Sequence, residues 1–313
     1  MQLNLSNVEY SYPSAVGSAL HNVTAVFPQG WTGIVGNNGS GKTTLALVAC
    51  GLLSPDAGTV SPQLLSVYCP QDAAEPPANL EDFALSYTGD AMRLRGDLGI
   101  ADDWPYRYDT LSGGQQKRLQ VACALWAEPD LLAMDEPTNH VDATTRRAIS
   151  CALSRFGGIG LLVSHDRELL DTLCSQCLFV TDGIATMRPG GYSQAFSQGA
   201  LERNSAIHAR EVARKEKARV EREAQRRREE ASRAASKRSL KGVDRHDGDA
   251  RHKRRVAVVS GKDGKAGRLS SRMEGRLERA EEKLATTRVE KRYDANVWFD
   301  ASPSKRKVLL RME

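Results

Sequence analysis

GNNGSGKT at positions 36–43 is the stretch on which the fold turns. It fits the pattern G-x-x-x-x-G-K-[ST], and its surroundings fit too. WTGIVG (31–36) before it is an apolar run ending in glycine, and the Ala-rich segment from Lys42 to Leu53 after it stops at SPDAG (54–58). Strand, Gly-rich loop and helix in that order form the setting a phosphate-binding loop needs. The glycines leave backbone N–H groups free to face phosphate oxygens, and the amino end of the helix adds a positive field. Lys42 is placed to reach the outer phosphates and Thr43 to bind the magnesium ion of a nucleoside triphosphate. Gly36, Asn37, Asn38, Gly39, Ser40, Gly41, Lys42, Thr43 and Thr44 are therefore the candidate cofactor-binding set, with ATP and Mg2+ the expected ligands.

Outward from this loop, LNLSNVEYSY (3–12) and HNVTAVFPQG (21–30) show a broken period of two and predict strands. Leu131 to Met134 and Gly160 to Val163 are short apolar runs with polar residues at their carboxyl ends, as buried parallel strands read in sequence. Helical patterns lie between them. The alternation predicts an α/β domain with a mostly parallel sheet and ligands at the carboxyl ends of its strands. LLAMDEP (131–137) sets two carboxylates at such an end: Asp135 to hold the magnesium shell, Glu136 to polarise an attacking water. In SHD (164–166), His165 also follows an apolar run and can approach a terminal phosphate.

Residues 1–200 hold 11 Lys and Arg against 20 Asp and Glu, a net −9, whereas 201–313 hold 33 against 19, a net +14. An acidic globular part is thus joined to a basic part that calls for a polyanionic partner. Leu201 to Arg238, rich in Ala, Arg, Lys and Glu, predicts a long exposed helix. A loop of roughly 30 residues, Ser239 to Gly267, follows, and then a stripe through Leu269, Met273, Leu277, Ala280 and Leu284 marks a second helix. Helix, basic loop, helix predicts an extended hairpin. No run approaches the roughly 18 apolar residues a membrane helix needs, and the first residues carry no signal-peptide core, so a cytoplasmic protein without membrane contact is expected. The cysteines at 50, 69, 123, 151, 174 and 177 lack disulfide or zinc spacing and read as small buried hydrophobes.

LSGGQQKR (111–118) precedes a helical run from Gln115 to Trp126, and with it the chain resembles the ATP-binding cassette superfamily over residues 1 to about 195. The resemblance implies a mixed sheet core with a helical subdomain. It assigns Ser112, Gly113 and Gly114 to the signature that faces the nucleotide of a second cassette, and gives His165 the role of γ-phosphate switch. It also assigns Gln71 to the loop that touches the metal. Tyr12, 24 residues before Gly36, stands where the family places an aromatic against adenine; core packing is the other reading, and Tyr10 competes for the role.

DEPTNHVD (135–142) resembles the ABC-F branch, twin-cassette proteins that act on the ribosome, through Asn139 and His140, with Val141 in place of the usual leucine. Only about 40 residues separate Gln71 from Leu111, so the arm some relatives insert there is expected to be absent or reduced to ordinary helices. The expected organisation is a cassette at 1–196, a basic helical hairpin linker at 197–292, and at 293–313 the start of a second cassette. In that segment VLLRME (308–313) is comparable to LNLSNVE (3–9). The resemblance implies ribosomal and transfer RNA as partners of the hairpin, through side chains such as Arg226, Arg227, Arg228, Lys253, Arg254 and Arg255. It also implies a second cassette, in the same longer chain or in a homodimer. Translation factor and antibiotic-resistance ribosome protector both fit. The rival readings are a nucleotide-binding subunit of a transporter and a non-catalytic interaction fragment.

Overall fold

The computed structural model describes residues 1–13, 17–238 and 264–286. The chain divides into two compact units, Met1–Ala200 and Leu201–Glu313.

In the first unit β1 (Gln2–Tyr10), β2 (Leu20–Pro28) and β4 (Ala57–Ser61) form an antiparallel sheet in the order β2-β1-β4. The broken alternation of the first strand is a bulge. Its register shifts between Leu5 and Val8, where Asn7 takes a φ of 51°, and Leu3, Leu5 and Val8 are thereby all kept on the buried side.

The second sheet runs β5-β6-β7-β3-β8-β9, with β3 (Gly30–Gly36), β5 (Ser66–Cys69), β6 (Leu131–Asp135), β7 (Ile159–Val163) and β8 (Cys174–Thr181) parallel. β9 (Ile184–Pro189) is antiparallel to β8. β6 and β7 are buried at every position, which is why they read as unbroken apolar runs. Leu131 and Ala133 face one core with Phe27, Ile34 and Leu45, while Leu132 and Met134 face a second with Phe83, Leu98 and Leu119.

α1 (Lys42–Ala49) ends sooner than the expected Leu53. Gly51 adopts a φ of 72°, its N–H bonds to the Val48 carbonyl at 3.0 Å, and the Leu52 N–H bonds to the Leu47 carbonyl at 2.9 Å. That paired closure is a Schellman cap, and the helix stops at the glycine and not at the later proline. Between Gln71 and Leu111 lie α2 (Leu80–Leu85), α3 (Gly89–Leu98) and a 3₁₀ turn at Trp104–Thr110. They pack on α4 (Gly113–Trp126) through Phe83, Leu94, Leu98 and Trp104, so ordinary helices occupy the place of an inserted arm. α5 (Ala143–Leu153) and α6 (Arg167–Leu173) follow the strands that carry the carboxylates and the histidine.

Five of the six cysteines are buried; Cys151, on the outer face of α5, is exposed, contrary to expectation. No group of three or more His, Cys, Asp or Glu among the described residues could hold a metal ion by itself.

Gly160 in β7 lies under Trp31, whose indole N–H donates to the Leu153 carbonyl at 2.9 Å and is thereby fixed. A methyl group at 160 would overlap the indole ring. Gly160→Ala is therefore expected to cost about 2 kcal/mol, read as a lower urea midpoint at unchanged m-value. An unmoved midpoint would contradict this packing.

In the second unit, α7 (Tyr192–Arg238) beyond Leu201 packs against α8 (Gly264–Thr286). Val220 and Ala224 meet Met273 and Leu277, flanked by ion pairs Arg228–Glu274 at 3.2 Å, Lys217–Glu281 at 3.0 Å and Lys283–Glu216 at 3.1 Å. Positions rise along α8 as they fall along α7, so the two helices are antiparallel. No helix among the described residues is long and apolar enough to cross a membrane. The expected basic cluster Lys253, Arg254, Arg255 and the segment 293–313 lie outside the described residues.

Candidate functional site

β3 delivers the chain into the loop at Gly36, where a side chain would collide with the Val180 carbonyl of the neighbouring strand. At the other end Gly41 has a φ of 102°, and a Cβ there would sit 2.6 Å from the Ala19 carbonyl oxygen. Both positions demand glycine, one for close approach and one for its left-handed backbone. Between them Asn37, Asn38 and Gly39 are exposed, and the Asn37 carbonyl accepts from the Ser40 N–H at 3.2 Å, which closes the loop on itself.

Lys42, 8% exposed, folds back to donate to the Gly36 and Asn37 carbonyls at 2.9 and 3.0 Å. Burial lowers its pKa, while the charges of Glu136 and Asp135 oppose that shift. The Ser40 hydroxyl is buried without a hydrogen-bond partner, and the first turn of α1 carries no acidic residue. An orphaned donor, a bent-back ammonium and an uncompensated helix amino end together make a cradle for an anion such as a phosphate.

At the end of β6, Asp135 is 4% exposed, and its Oδ2 accepts from the Thr43 hydroxyl at 2.7 Å and from the Tyr68 hydroxyl at 3.1 Å. Glu136 then leaves the strand with a φ of 46°, its N–H held by the Val163 carbonyl at 2.8 Å. Its Oε2 accepts from the His165 backbone N–H at 3.3 Å, and its Oε1 lies 3.5 Å from His165 Nε2. That second separation gives an ion pair only when the imidazole is protonated, so Oε1 is otherwise buried and unbonded. Desolvation raises the Glu136 pKa and Asp135 adds to it, against the His165 backbone N–H, the His165 charge and Lys42. A buried, under-satisfied carboxylate of raised basicity is suited to take a proton from water. The donor set also fits magnesium: a hydroxyl and a carboxylate side by side, both hard oxygen ligands, next to the phosphate cradle.

Phosphate loop, carboxylates and histidine thus converge. Tyr12 is 38% exposed, with its hydroxyl 3.1 Å from the Thr44 hydroxyl, whereas Tyr10 packs against the core and meets Tyr12 edge-on at 5.0 Å. Of the two rings, Tyr12 has the open face. Gln71 is exposed just past the end of β5, and its backbone carbonyl accepts from Lys117 Nζ at 2.9 Å. Ser112 caps α4, its N–H donating to the Gln115 side chain at 2.9 Å, and a Cβ at Gly113 would meet nothing within 4 Å. Among the described residues, no hydrogen bond or ion pair joins Ser112, Gly113 or Gly114 to the phosphate loop.

The match to known proteins falls on this machinery. A family model described as "ABC transporter" covers residues 20–139. The putative ABC transporter ATP-binding protein of Nitratidesulfovibrio vulgaris is 31% identical over 210 residues, covering 58% of this chain and 77% of that one. The chain belongs to the ATP-binding cassette family. The tylosin resistance ATP-binding protein TlrC of Streptomyces fradiae is 35% identical over 161 residues, 49% of this chain and 29% of that protein. Several relatives are much longer: the cassette chain spans 25 to 30% of their length. Among solved structures, a dimeric ATP-binding cassette in a post-hydrolysis state bound to ADP and Pi superposes with a TM-score of 0.53 at 22% identity, covering 60% of this chain and 98% of that one, a likeness of fold.

Three site groups of the cassette escaped the sequence. Tyr68 bonds to Asp135, Lys117 donates to the Pro70 and Gln71 carbonyls at 3.0 and 2.9 Å, and Asp166 accepts from the Thr138 hydroxyl at 3.2 Å while capping α6. The parity of β5 was the available signal for Tyr68. In the parallel register Tyr68 pairs with Ala133, two residues before Asp135, so the two side chains share a face.

Proposed function

We propose that the protein is an ABC-F-type ATPase that binds ATP and Mg2+, pairs with a second cassette, and acts on the ribosome through a basic helical hairpin at 197–292. The observation that carries this reading is an antiparallel helix pair, in the segment 201–313 with net +14, directly following in sequence a cassette whose phosphate cradle and carboxylates converge. A cassette that only powers a transporter has no need of such a pair.

In this mechanism Lys42 and the N–H groups of the 36–43 loop hold the β- and γ-phosphates, with the Ser40 hydroxyl an added donor. Thr43 and Asp135 hold the ion, with Gln71 the third candidate ligand. Magnesium, when bound, neutralises the charge that develops on the transferring phosphoryl group. Glu136 orients the attacking water and accepts its proton, His165 senses the γ-phosphate, and the exposed Tyr12 ring is offered to the adenine. Ser112, Gly113 and Gly114 are unbonded to their own phosphate loop, so their anion is the nucleotide of a second cassette, in a longer chain or in a second copy. The open space at Gly113 supports that reading.

Arg226 and Arg227 pair with Glu230 at 3.8 and 2.9 Å, and Arg228 with Glu274. Exposed pairs of this kind are worth ~0–1 kcal/mol and exchange readily for phosphate contacts. The similarity to a tylosin resistance protein supports the antibiotic-resistance form of the reading. The similarity to a putative ABC transporter ATP-binding protein favours the second reading, a transporter subunit.

Sedimentation with ribosomes across a salt series, with and without a non-hydrolysable ATP analogue, separates the two. Nucleotide-dependent co-sedimentation is expected. Replacing Arg251, Lys253, Arg254 and Arg255 with Gln should weaken it and flatten the salt slope by about 0.9 for each phosphate that is no longer neutralised. An unchanged slope removes the hairpin from the proposal, and recovery with membranes in place of ribosomes moves the protein to the transporter reading.

A further inference from the structure

We propose that Tyr68 is a positioning residue for the metal site, holding the Asp135 carboxylate in the orientation that magnesium requires. The inference rests on the proposed function, in which Asp135 and Thr43 hold the ion. Both hydroxyls that reach Asp135 converge on one oxygen, Oδ2: Thr43 at 2.7 Å from α1, and Tyr68 at 3.1 Å from β5. A carboxylate at the end of a strand rotates about its last bond unless its oxygens are engaged. Two donors from separate elements on the same oxygen fix that rotation. Outer partners of this kind set the affinity of a metal site without touching the metal.

The phenol is itself well anchored. Its ring is half-buried against the core between the two sheets, and two residues later the chain is pinned by Lys117, 3% exposed, whose ammonium donates to the Pro70 and Gln71 carbonyls and to Gln120 Oε1 at 2.9 Å. At the site its hydroxyl serves as a donor to Asp135 Oδ2. Thr43, by contrast, must also offer its lone pairs to the ion. Of the two, Tyr68 alone is dedicated to orienting the carboxylate.

Tyr68→Phe keeps the ring and removes only the donor. The full chain is followed by thermal melting at fixed ATP, first in EDTA and then in a Mg2+ titration. Stabilisation by metal-free ATP should match the parent, while the Mg2+ concentration giving half of the additional stabilisation should rise about tenfold. Asp135→Asn serves as reference and should lose the Mg2+ response. An unchanged Mg2+ midpoint in Tyr68→Phe overturns the inference. So does an equal loss of ATP stabilisation in EDTA, which would make Tyr68 a packing residue. If Asp135→Asn responded to Mg2+ like the parent, the metal-site reading itself would fail, whatever Tyr68→Phe does.

Discussion

Glu136→Gln, assayed with a second cassette present, is expected to bind ATP as the parent does and to turn it over about 10² to 10⁴ times more slowly, the range for loss of a positioned general base. The substitution is nearly isosteric, and the amide can still accept from the His165 N–H, so the loop geometry survives; what goes is basicity. The pH dependence gives a second readout. The parent needs Glu136 ionised for turnover, so the acid limb that its protonation gives the rate profile should vanish in the variant. Stability carries the opposite sign. A carboxyl whose folded pKa is raised favours the fold while protonated. That contribution is lost as pH rises through the folded value. At neutral pH the ionised side chain therefore costs the ligand-free cassette stability, and Glu136→Gln should melt higher than the parent there, with the advantage shrinking on acidification. Equal turnover in parent and variant would remove Glu136 from the chemistry.

How far the sequence carried depends on the kind of interaction. Motifs in which neighbouring residues act together were legible: Gly36 to Thr43 sit at one strand–helix junction, and Asp135 and Glu136 at one strand end, so local pattern was enough. The early stop of α1 was legible in principle, because Gly51 was in view; the proline beyond it drew the boundary too late. Tyr68 and Lys117 were out of reach for a different reason. Each acts across elements, Tyr68 over 67 residues to Asp135 and Lys117 over 46 to Gln71; the β5–β6 register brings the first there, and the packing of α4 beside the end of β5 the second. Lys117 stands in a signature helix whose polar spelling reads as a solvated face, yet it is buried, with its three donors spent on two carbonyls and an amide oxygen. The two tyrosines at 10 and 12 differ only in where the β1 bulge and strand end leave them, and that offset sends Tyr10 to the core and Tyr12 to the surface.

Lys42→Ala should do the reverse of Glu136→Gln and abolish tight nucleotide binding. The ammonium is buried and held by two loop carbonyls, Gly36 and Asn37, an arrangement that keeps a cation at the centre of the loop at the expense of its own pKa. Triphosphate adds several negative charges at that point. Truncating one member of such a buried charge pair costs about 2 to 5 kcal/mol or more, roughly a 30-fold to several-thousand-fold loss of affinity. The fold should not suffer. The lowered pKa means that the charged form opposes folding at neutral pH, and its removal offsets the two hydrogen bonds that go with it. Equilibrium titration with a fluorescent ATP analogue, beside a melting curve without ligand, distinguishes the cases. Weak binding with an unshifted melt places Lys42 on the phosphates. Parent-like affinity would mean that the Gly36 to Thr43 loop does not carry the nucleotide, and a collapsed melt would make Lys42 a structural strut of the loop.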